Sequence, residues 1–344
     1  MLRVGIVGAS GYGGMELLRI LAGHQEVSVE YVSGNHESDE DLAQEYPFLG
    51  SYQGLKIRKY DLQECIEACD SVFVALPSGS SGAIAGQLWR AGKRVIDLSG
   101  DLRLPQPLYE SWYEKKAVDQ DILDAAVYGL CEWHADAIAS ASLIANPGCF
   151  ATATLLALLP AVRAGLLQES KVVMVDAKSG VSGAGKAVAP ARQLAELADN
   201  FYPYRVGKHQ HTPEIERELS PEFAVQVLLT TQLLPIARGI AVSCYIPLKD
   251  GVSFADAYSV YADRYSDTPF VRVLGKGSVP QLKHVRGSNE THISVHVDER
   301  TRTLQVFSVL DNLQKGAAGQ AVQNLNLMNG WPETTGLLTP ALYP

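Results

Sequence analysis

A glycine-rich turn close to the N-terminus constrains this chain more than any other feature. Gly8-Ala9-Ser10-Gly11-Tyr12-Gly13-Gly14 separates a short apolar run, residues 4–7, from a helix-like stretch, residues 15–22. Glycine lets the backbone turn tightly and approach a pyrophosphate closely, and the N–H groups of the helix start then meet its negative charge. The spacing Gly8-x-x-Gly11-x-x-Gly14 is a variant of the dinucleotide fingerprint, and the strand-turn-helix setting strengthens it. The competing reading is a turn that only solves a packing problem. Its position at the head of an alternating pattern weighs against that.

The alternation continues. Residues 27–32 and 72–76 read as strands. The loop Pro77-Ser78-Gly79-Ser80-Ser81 leads to a helix near 84–91, and residues 94–98 form a further strand. Such alternation implies a parallel sheet covered by helices. The second half has longer strand-like runs at 172–177, 224–229 and 240–247. Residues 291–297 and 303–309 flank the polar turn 298–301, with Ile293, Val295 and Val297 on one face, as in a hairpin. Helices are expected at 253–265 and 315–328. The fold class is therefore α/β: a Rossmann-like dinucleotide-binding domain over 1–147, completed by a C-terminal helix within 315–344, plus an α+β domain with a mixed sheet over 148–314.

A chain of 344 residues with 47% hydrophobic and 19% charged residues can bury two ordinary cores. A net charge of −9 argues against nucleic acid as a partner. The five cysteines, at 65, 69, 131, 149 and 244, do not form the pattern of a secreted disulfide framework. No signal-peptide core precedes the first strand, and no apolar stretch would span a membrane. The sequon Asn289-Glu290-Thr291 has no consequence without secretion, and a reducing cytoplasm is the expected setting.

The second strand ends at Val32-Ser33-Gly34-Asn35, without the carboxylate that would receive a ribose 2′-hydroxyl. Ser33 leaves room and a donor for a 2′-phosphate, which favours NADP(H) over NAD.

Asn146-Pro147-Gly148-Cys149 follows the strand-like residues 142–145 and precedes the helical run 153–159. Cys149 thus falls at a helix start, where the dipole and unpaired N–H groups stabilise a thiolate. The other four cysteines read as buried structural residues. In Gly207-Lys208-His209-Gln210-His211-Thr212-Pro213-Glu214, either histidine can serve the thiol as acid/base. A metal pair competes with that reading, but no third ligand stands out, and no metal is expected.

Taken together, residues 8–14, 99–103, 146–149, 179–185, 209–214, 235–239 and 311–312 resemble the N-acetyl-gamma-glutamyl-phosphate reductases of the aspartate-semialdehyde dehydrogenase superfamily. The resemblance spans nearly the whole chain and is specific in the order and spacing of its motifs. It implies that Cys149 is the nucleophile and that the His209/His211 segment is the acid/base, His209 first. Arg103 is implied to bind phosphate with its guanidinium fork. Arg238 would bind the substrate carboxylate, with a surface ion pair as an equal alternative, and Ser182 would also meet substrate. Ser179 and Gly180 would meet the cofactor together with Gly8, Ser10, Gly11, Tyr12, Gly13, Gly14, Ser33 and Pro77. Asn312 would contact the nicotinamide amide, its alternative being a helix N-cap. Gln210 stands where many relatives carry a basic residue.

The activity so implied is NADPH-dependent reduction of N-acetyl-L-glutamyl 5-phosphate to N-acetyl-L-glutamate 5-semialdehyde and phosphate, through a cysteine thioester, in arginine biosynthesis. The second domain would be catalytic and dimerising, and the assembly a homo-dimer or tetramer. Aspartate-semialdehyde dehydrogenase and the lysine-pathway reductase of a carrier-bound acyl phosphate are the nearest alternatives. A non-catalytic dinucleotide sensor is the alternative of another class; it would need no thiol at a helix start.

Overall fold

Short strands buried on both faces need a helix to return the chain to the same end of the sheet, and the first half of the chain is built in that way. The structure is a computed structural model that describes residues 1–35, 39–168, 172–187, 189–219 and 225–343. It divides into two compact units, Met1–Gly148 with Ala317–Leu338, and Cys149–Gly316 with Thr339–Pro344.

The first unit runs β1 (Leu2–Val7), α1 (Tyr12–Leu21), β2 (Val27–Ser33), β3 (Glu40–Asp41), α2 (Leu42–Glu45), β4 (Lys56–Arg58), α3 (Leu62–Ala68), β5 (Ser71–Val74), α4 (Ser81–Arg90), β6 (Arg94–Asp97), α5 (Gln106–Tyr113), α6 (Gln120–Ala125), β7 (Val127–Tyr128), α7 (Cys131–Ser140) and β8 (Leu143–Ala145). Among the described residues its strands lie in the order β3-β4-β2-β1-β5-β6-β8-β7. Among the described residues only the β3–β4 pair of this sheet is antiparallel. Because β1 lies between β2 and β5, the chain leaves β1 toward one side and β5 toward the other. The carboxyl ends of these strands frame the crevice where doubly wound sheets bind ligands.

The second unit opens with α8 (Cys149–Arg163), followed by β9 (Val172–Gly180), α9 (Leu194–Leu197), β10 (Tyr202–Tyr204), α10 (His211–Leu219), β11 (Gln226–Leu234), β12 (Ile240–Pro247), α11 (Phe254–Tyr265), β13 (Val271–Val273), β14 (Thr291–Asp298) and β15 (Thr303–Leu310). Its described strands form a mixed sheet ordered β10-β11-β9-β12-β15-β14-β13. In the central register Ile240 pairs with both Ser179 and Leu310. The ends of β9 and β15 and the start of β12 therefore emerge side by side. Finally α12 (Gly319–Met328) belongs to the first unit, where it packs on α7 and α1.

Apolar almost all round, α8 is the buried helix of its unit and packs on β12 and β15. Pro160 inside it cannot donate to the carbonyl of Leu156. Tyr265 of α11 supplies that donor at 2.7 Å, and Tyr261 donates to the carbonyl of Ala157 at 2.6 Å. Two phenols thus satisfy the helix where proline breaks its ladder. Among the described residues no helix is long and apolar enough to cross a membrane.

Several elements differ from the sequence expectation. Helix α1 begins at Tyr12 rather than 15, because Gly11 is an extended N-cap and Gly13 and Gly14 enter the helix. Helix α8 begins at Cys149 itself rather than 153. The strand expected at 224–229 starts at Gln226 and runs to Leu234; residue 224 lies outside the described residues. Gln314–Ala318 form a wider π turn, so the α-helix expected from 315 begins at Gly319.

Candidate functional site

In the glycine turn, four glycines act in two ways. Gly8 has φ +93°, and a Cβ there would lie 2.6 Å from the carbonyl oxygen of Ala75. A Cβ on Gly14 would lie 2.5 Å from the Gly8 oxygen and the Ala9 Cα. These two are required by the fold. Gly11 and Gly13 are not: their Cβ atoms would meet nothing nearer than 3.6 and 3.9 Å. A side chain at either would only fill the space in front of the first turn of α1, whose N–H groups have no acceptor within the helix. That cradle fits a pyrophosphate. Tyr12 opens the helix with its side chain 40% exposed. Ser10 accepts the N–H of Asn35 at 3.2 Å and so ties the turn to the end of β2.

Ser33 is a correction. It was expected to face a ribose phosphate, but it is 1% exposed. Strand alternation places it on the face of Tyr31, whose hydroxyl accepts the N–H of Asp61 at the start of α3. The exposed position after β2 is Asn35.

Pro77 is exposed in the loop after β5, and Asp101 of the 99–103 motif and Asp97 at the end of β6 fasten that loop. Asp101 accepts the N–H groups of Gly79 and Gly82 and the hydroxyl of Tyr109. Asp97 accepts Ser81 and Ser99 hydroxyls, and burial pushes its carboxyl up to about 6. Arg103 was expected to bind phosphate. The residue is 5% exposed, and its Nε and one terminal nitrogen each donate at 2.8 Å, to the carbonyls of Asn146 and Leu98. These two bonds fix the plane of the guanidinium beside the turn before Cys149. Asn146 is held on every side: its N–H donates to Asp97 O, its amide donates to Ala317 O, and its amide oxygen accepts from Asn324. The turn that ends at Gly148 is therefore rigidly anchored.

Cys149, half-buried, is the first residue of α8. Gly316 lies directly against it: a Cβ there would be 2.9 Å from the Cys149 Cβ. Phe150, next along α8, meets the rings of His209 at 5.4 Å and His211 at 6.1 Å, both edge-on. The histidine rings are 4.7 Å apart. His209 is buried, and its Nδ1 accepts the N–H of His211 at 3.2 Å. Burial first, then the charges of His211 and Arg205, push its pKa down to about 2. His209 is thus neutral with its proton on Nε2, a standing hydrogen-bond donor. Tyr204 packs on His209 at 5.8 Å; burial, with Cys149 adding to it, holds its phenol protonated well above the ordinary range.

A second cluster gathers at the common strand ends. Asn312 accepts the N–H of Gly239 at 2.7 Å and donates to the Ser182 hydroxyl at 2.9 Å. Ser179 is buried and donates to its neighbour's carbonyl, while a Cβ on Gly180 would lie 2.9 Å from the Ala237 and Arg238 backbone. Ser179, Gly180 and Asn312 therefore pin three loops together, where sequence implied direct cofactor contacts. The exposed part of that loop is 183–187. Arg238 pairs with the fully buried Asp311 at 3.0 Å. Asp311 also accepts the N–H groups of Gly287 and Leu313. The ion-pair alternative for Arg238 is thus what the structure contains, and its partner is interior. Gly316 and Tyr204 are site residues that sequence reasoning did not single out. Nothing local marks Gly316, since its role is set by packing across the unit. Among the described residues no group of three or more His, Cys, Asp or Glu could hold a metal.

A doubly wound nucleotide-binding unit followed by a cysteine-led helix and a seven-stranded mixed sheet is the architecture of the semialdehyde dehydrogenases. Residues 3–141 match the family model "Semialdehyde dehydrogenase, NAD binding domain", and residues 149–312 match "Semialdehyde dehydrogenase, dimerisation domain". The solved aspartate semialdehyde dehydrogenase II of Vibrio cholerae superposes with a TM-score of 0.72 over 96% of this chain and 98% of that one, at 19% identity. The enzyme of that name from Candida albicans, solved with NADP, gives 0.66 over 96% and 98%, at 16% identity. Closer in sequence are N-acetyl-gamma-glutamyl-phosphate reductases: that of Bacillus cytotoxicus is 43% identical and that of Brevibacillus brevis 44%, each over the full length of both chains. The chain belongs to the N-acetyl-gamma-glutamyl-phosphate reductase family.

Proposed function

We propose that this chain reduces N-acetyl-L-glutamyl 5-phosphate to N-acetyl-L-glutamate 5-semialdehyde, using NADPH and releasing phosphate, the reductase activity its relatives are named for, and that it does so in arginine biosynthesis. The observation that carries the chemistry is the setting of Cys149: first residue of a buried helix, in a half-buried position, with neutral His209 packed on the next residue, Phe150. The Cys149 thiolate attacks the acyl phosphate carbon; the carbon–oxygen bond to phosphate breaks and a thioester forms. NADPH, when bound, supplies the hydride that this thioester accepts. His209 donates a hydrogen bond from Nε2 to the oxyanion that develops on the carbonyl oxygen. The oxyanion then collapses and the carbon–sulfur bond breaks, which releases the aldehyde and restores the thiolate. Because Nδ1 is already occupied by the His211 N–H, Nε2 is the nitrogen that makes this bond.

For the cofactor we assign the space before Gly11 and Gly13, with Ser10, Tyr12 and Pro77 around it. Arg103, Asn312, Ser179 and Gly180 act as positioning residues. Arg238, held by Asp311, keeps its place as a carboxylate ligand through its solvent-facing edge. Assembly as a homodimer is supported by one face of the second unit's sheet, where Val172, Met174 and Leu228 are exposed while α8 covers the other face. A reducing cytoplasm is supported by five cysteines that form no disulfide with one another.

The test is a phosphate-dependent, NADP-linked oxidation of the aldehyde. N-acetylglutamate semialdehyde should turn over at least 100-fold more efficiently than aspartate semialdehyde, a margin set by lost charge-assisted contacts. The reverse preference would overturn the assignment.

A further inference from the structure

The mechanism leaves a dianionic phosphate and a carboxylate to be neutralised, and both arginines considered for them also make other bonds. Arg103 holds backbone carbonyls, and Arg238 is paired with Asp311. The segment between β10 and α10 contains another. Arg205 is exposed, and among the described residues no carboxylate lies within ion-pair distance of it. Its backbone has φ +48°, a conformation that a non-glycine residue adopts only where its surroundings require it. One terminal guanidinium nitrogen donates to the side-chain oxygen of Gln210. Gln210 lies between the two histidines, and Tyr204, the residue before Arg205, packs on His209. Its positive charge reaches far enough to lower the basicity of His209.

We propose that Arg205, aimed by Gln210, is the cation that binds an oxyanion of the substrate beside Cys149. This rests on the reading of the chain as an acyl-phosphate reductase and adds to it the anion subsite. A glutamine is the suitable partner for such a residue. Its neutral oxygen orients the guanidinium without cancelling the charge, whereas a carboxylate would compete with the substrate. The bond to Gln210 holds the guanidinium beside the residue that separates the two histidines.

The anion is either the carboxylate or the phosphoryl group, and the reverse reaction separates them. It takes the aldehyde, which carries the carboxylate, and inorganic phosphate as separate substrates. In Arg205→Gln the KM for one of the two should rise about 10- to 100-fold, with kcat within about tenfold of wild type. A rise for the aldehyde assigns the carboxylate, and a rise for phosphate assigns the phosphoryl group. Arg205→Lys should recover part of the loss. The double variant Arg205→Gln/Gln210→Arg, which moves the cation to the residue that Arg205 touches, should recover more than Arg205→Gln alone. Both KM values within twofold of wild type in an active Arg205→Gln enzyme would overturn the subsite and leave the reductase reading standing. A wild-type protein unable to oxidise the aldehyde would overturn both.

Discussion

Replacing Gly316 by alanine should misplace the nucleophile. The backbone of Gly316 does not lie in the left-handed region, so alanine costs nothing through φ. All of the effect comes from the added methyl. It would lie 2.9 Å from the Cys149 Cβ, with Asp311 O and Leu310 Cδ1 both at 3.3 Å on other sides. Carbon pairs rest at roughly 3.5–4.0 Å, so the two carbons must separate by about 0.6–1.1 Å. The methyl cannot retreat, because its other neighbours are already tight, and the Cys149 Cβ is not the far end of a flexible side chain. The sulfur therefore moves. A displacement of about 1 Å from attack geometry costs on the order of 100-fold in rate, while overpacking of this size costs about 1–3 kcal/mol of stability. The assay is single-turnover NADPH oxidation, with urea unfolding alongside. Gly275→Ala is the control, since nothing lies within 4 Å of a Cβ there. A Gly316→Ala enzyme with kcat within twofold of wild type would refute the reasoning.

Three further outcomes follow from the same geometry. Gly11→Ala should raise the KM for NADPH at least tenfold with the unfolding midpoint unchanged, whereas Gly14→Ala should destabilise by about 1–3 kcal/mol or more, because only its Cβ meets backbone at 2.5 Å; equal effects on stability would count against separate roles. Arg103→Lys cannot keep both charge-assisted bonds to the Asn146 and Leu98 carbonyls and should cost about 1.5–3 kcal/mol in urea unfolding; a raised KM for phosphate with full stability would instead assign Arg103 to phosphate binding. His209 has a folded pKa of about 2 against an ordinary value near 6.5, so between those limits the unfolded chain binds the extra proton. Stability from this group is complete above about pH 6.5 and is lost as pH falls; at pH 5 the loss is about 2 kcal/mol. The difference in stability between wild type and His209→Asn should therefore shrink by that amount between pH 7.5 and 5, and a constant difference would contradict a neutral, buried imidazole.

The fold was legible wherever its signal is local. Period-two and period-3.6 patterns located β1, β2, β5, β6, β12 and the β14–β15 hairpin, and the hairpin pairs residue for residue from Thr291–Leu310 to Asp298–Thr303. The thiol at the start of α8 was equally readable, because a Pro-Gly turn before an apolar run is itself local. Positions whose meaning depends on partners far along the chain were not. Arg103 and Asn312 carry the right groups for ligands, yet their donors meet backbone and side chains brought close only by tertiary packing. Ser33 was misread because a strand end looks exposed in sequence, while its side chain shares a covered face with Tyr31. Gly316 could not be found at all, since its neighbour Cys149 is remote in sequence.

The central claim is a covalent acyl group on one sulfur. Mixing the protein with N-acetyl-L-glutamyl 5-phosphate in the absence of NADPH, quenching in acid and mapping the mass of each peptide tests it directly. The account predicts an N-acetylglutamyl adduct on the peptide containing Cys149, formed with release of one phosphate and discharged when NADPH is added. Steady NADPH oxidation with no adduct on Cys149, or with full activity in Cys149→Ala, would contradict it.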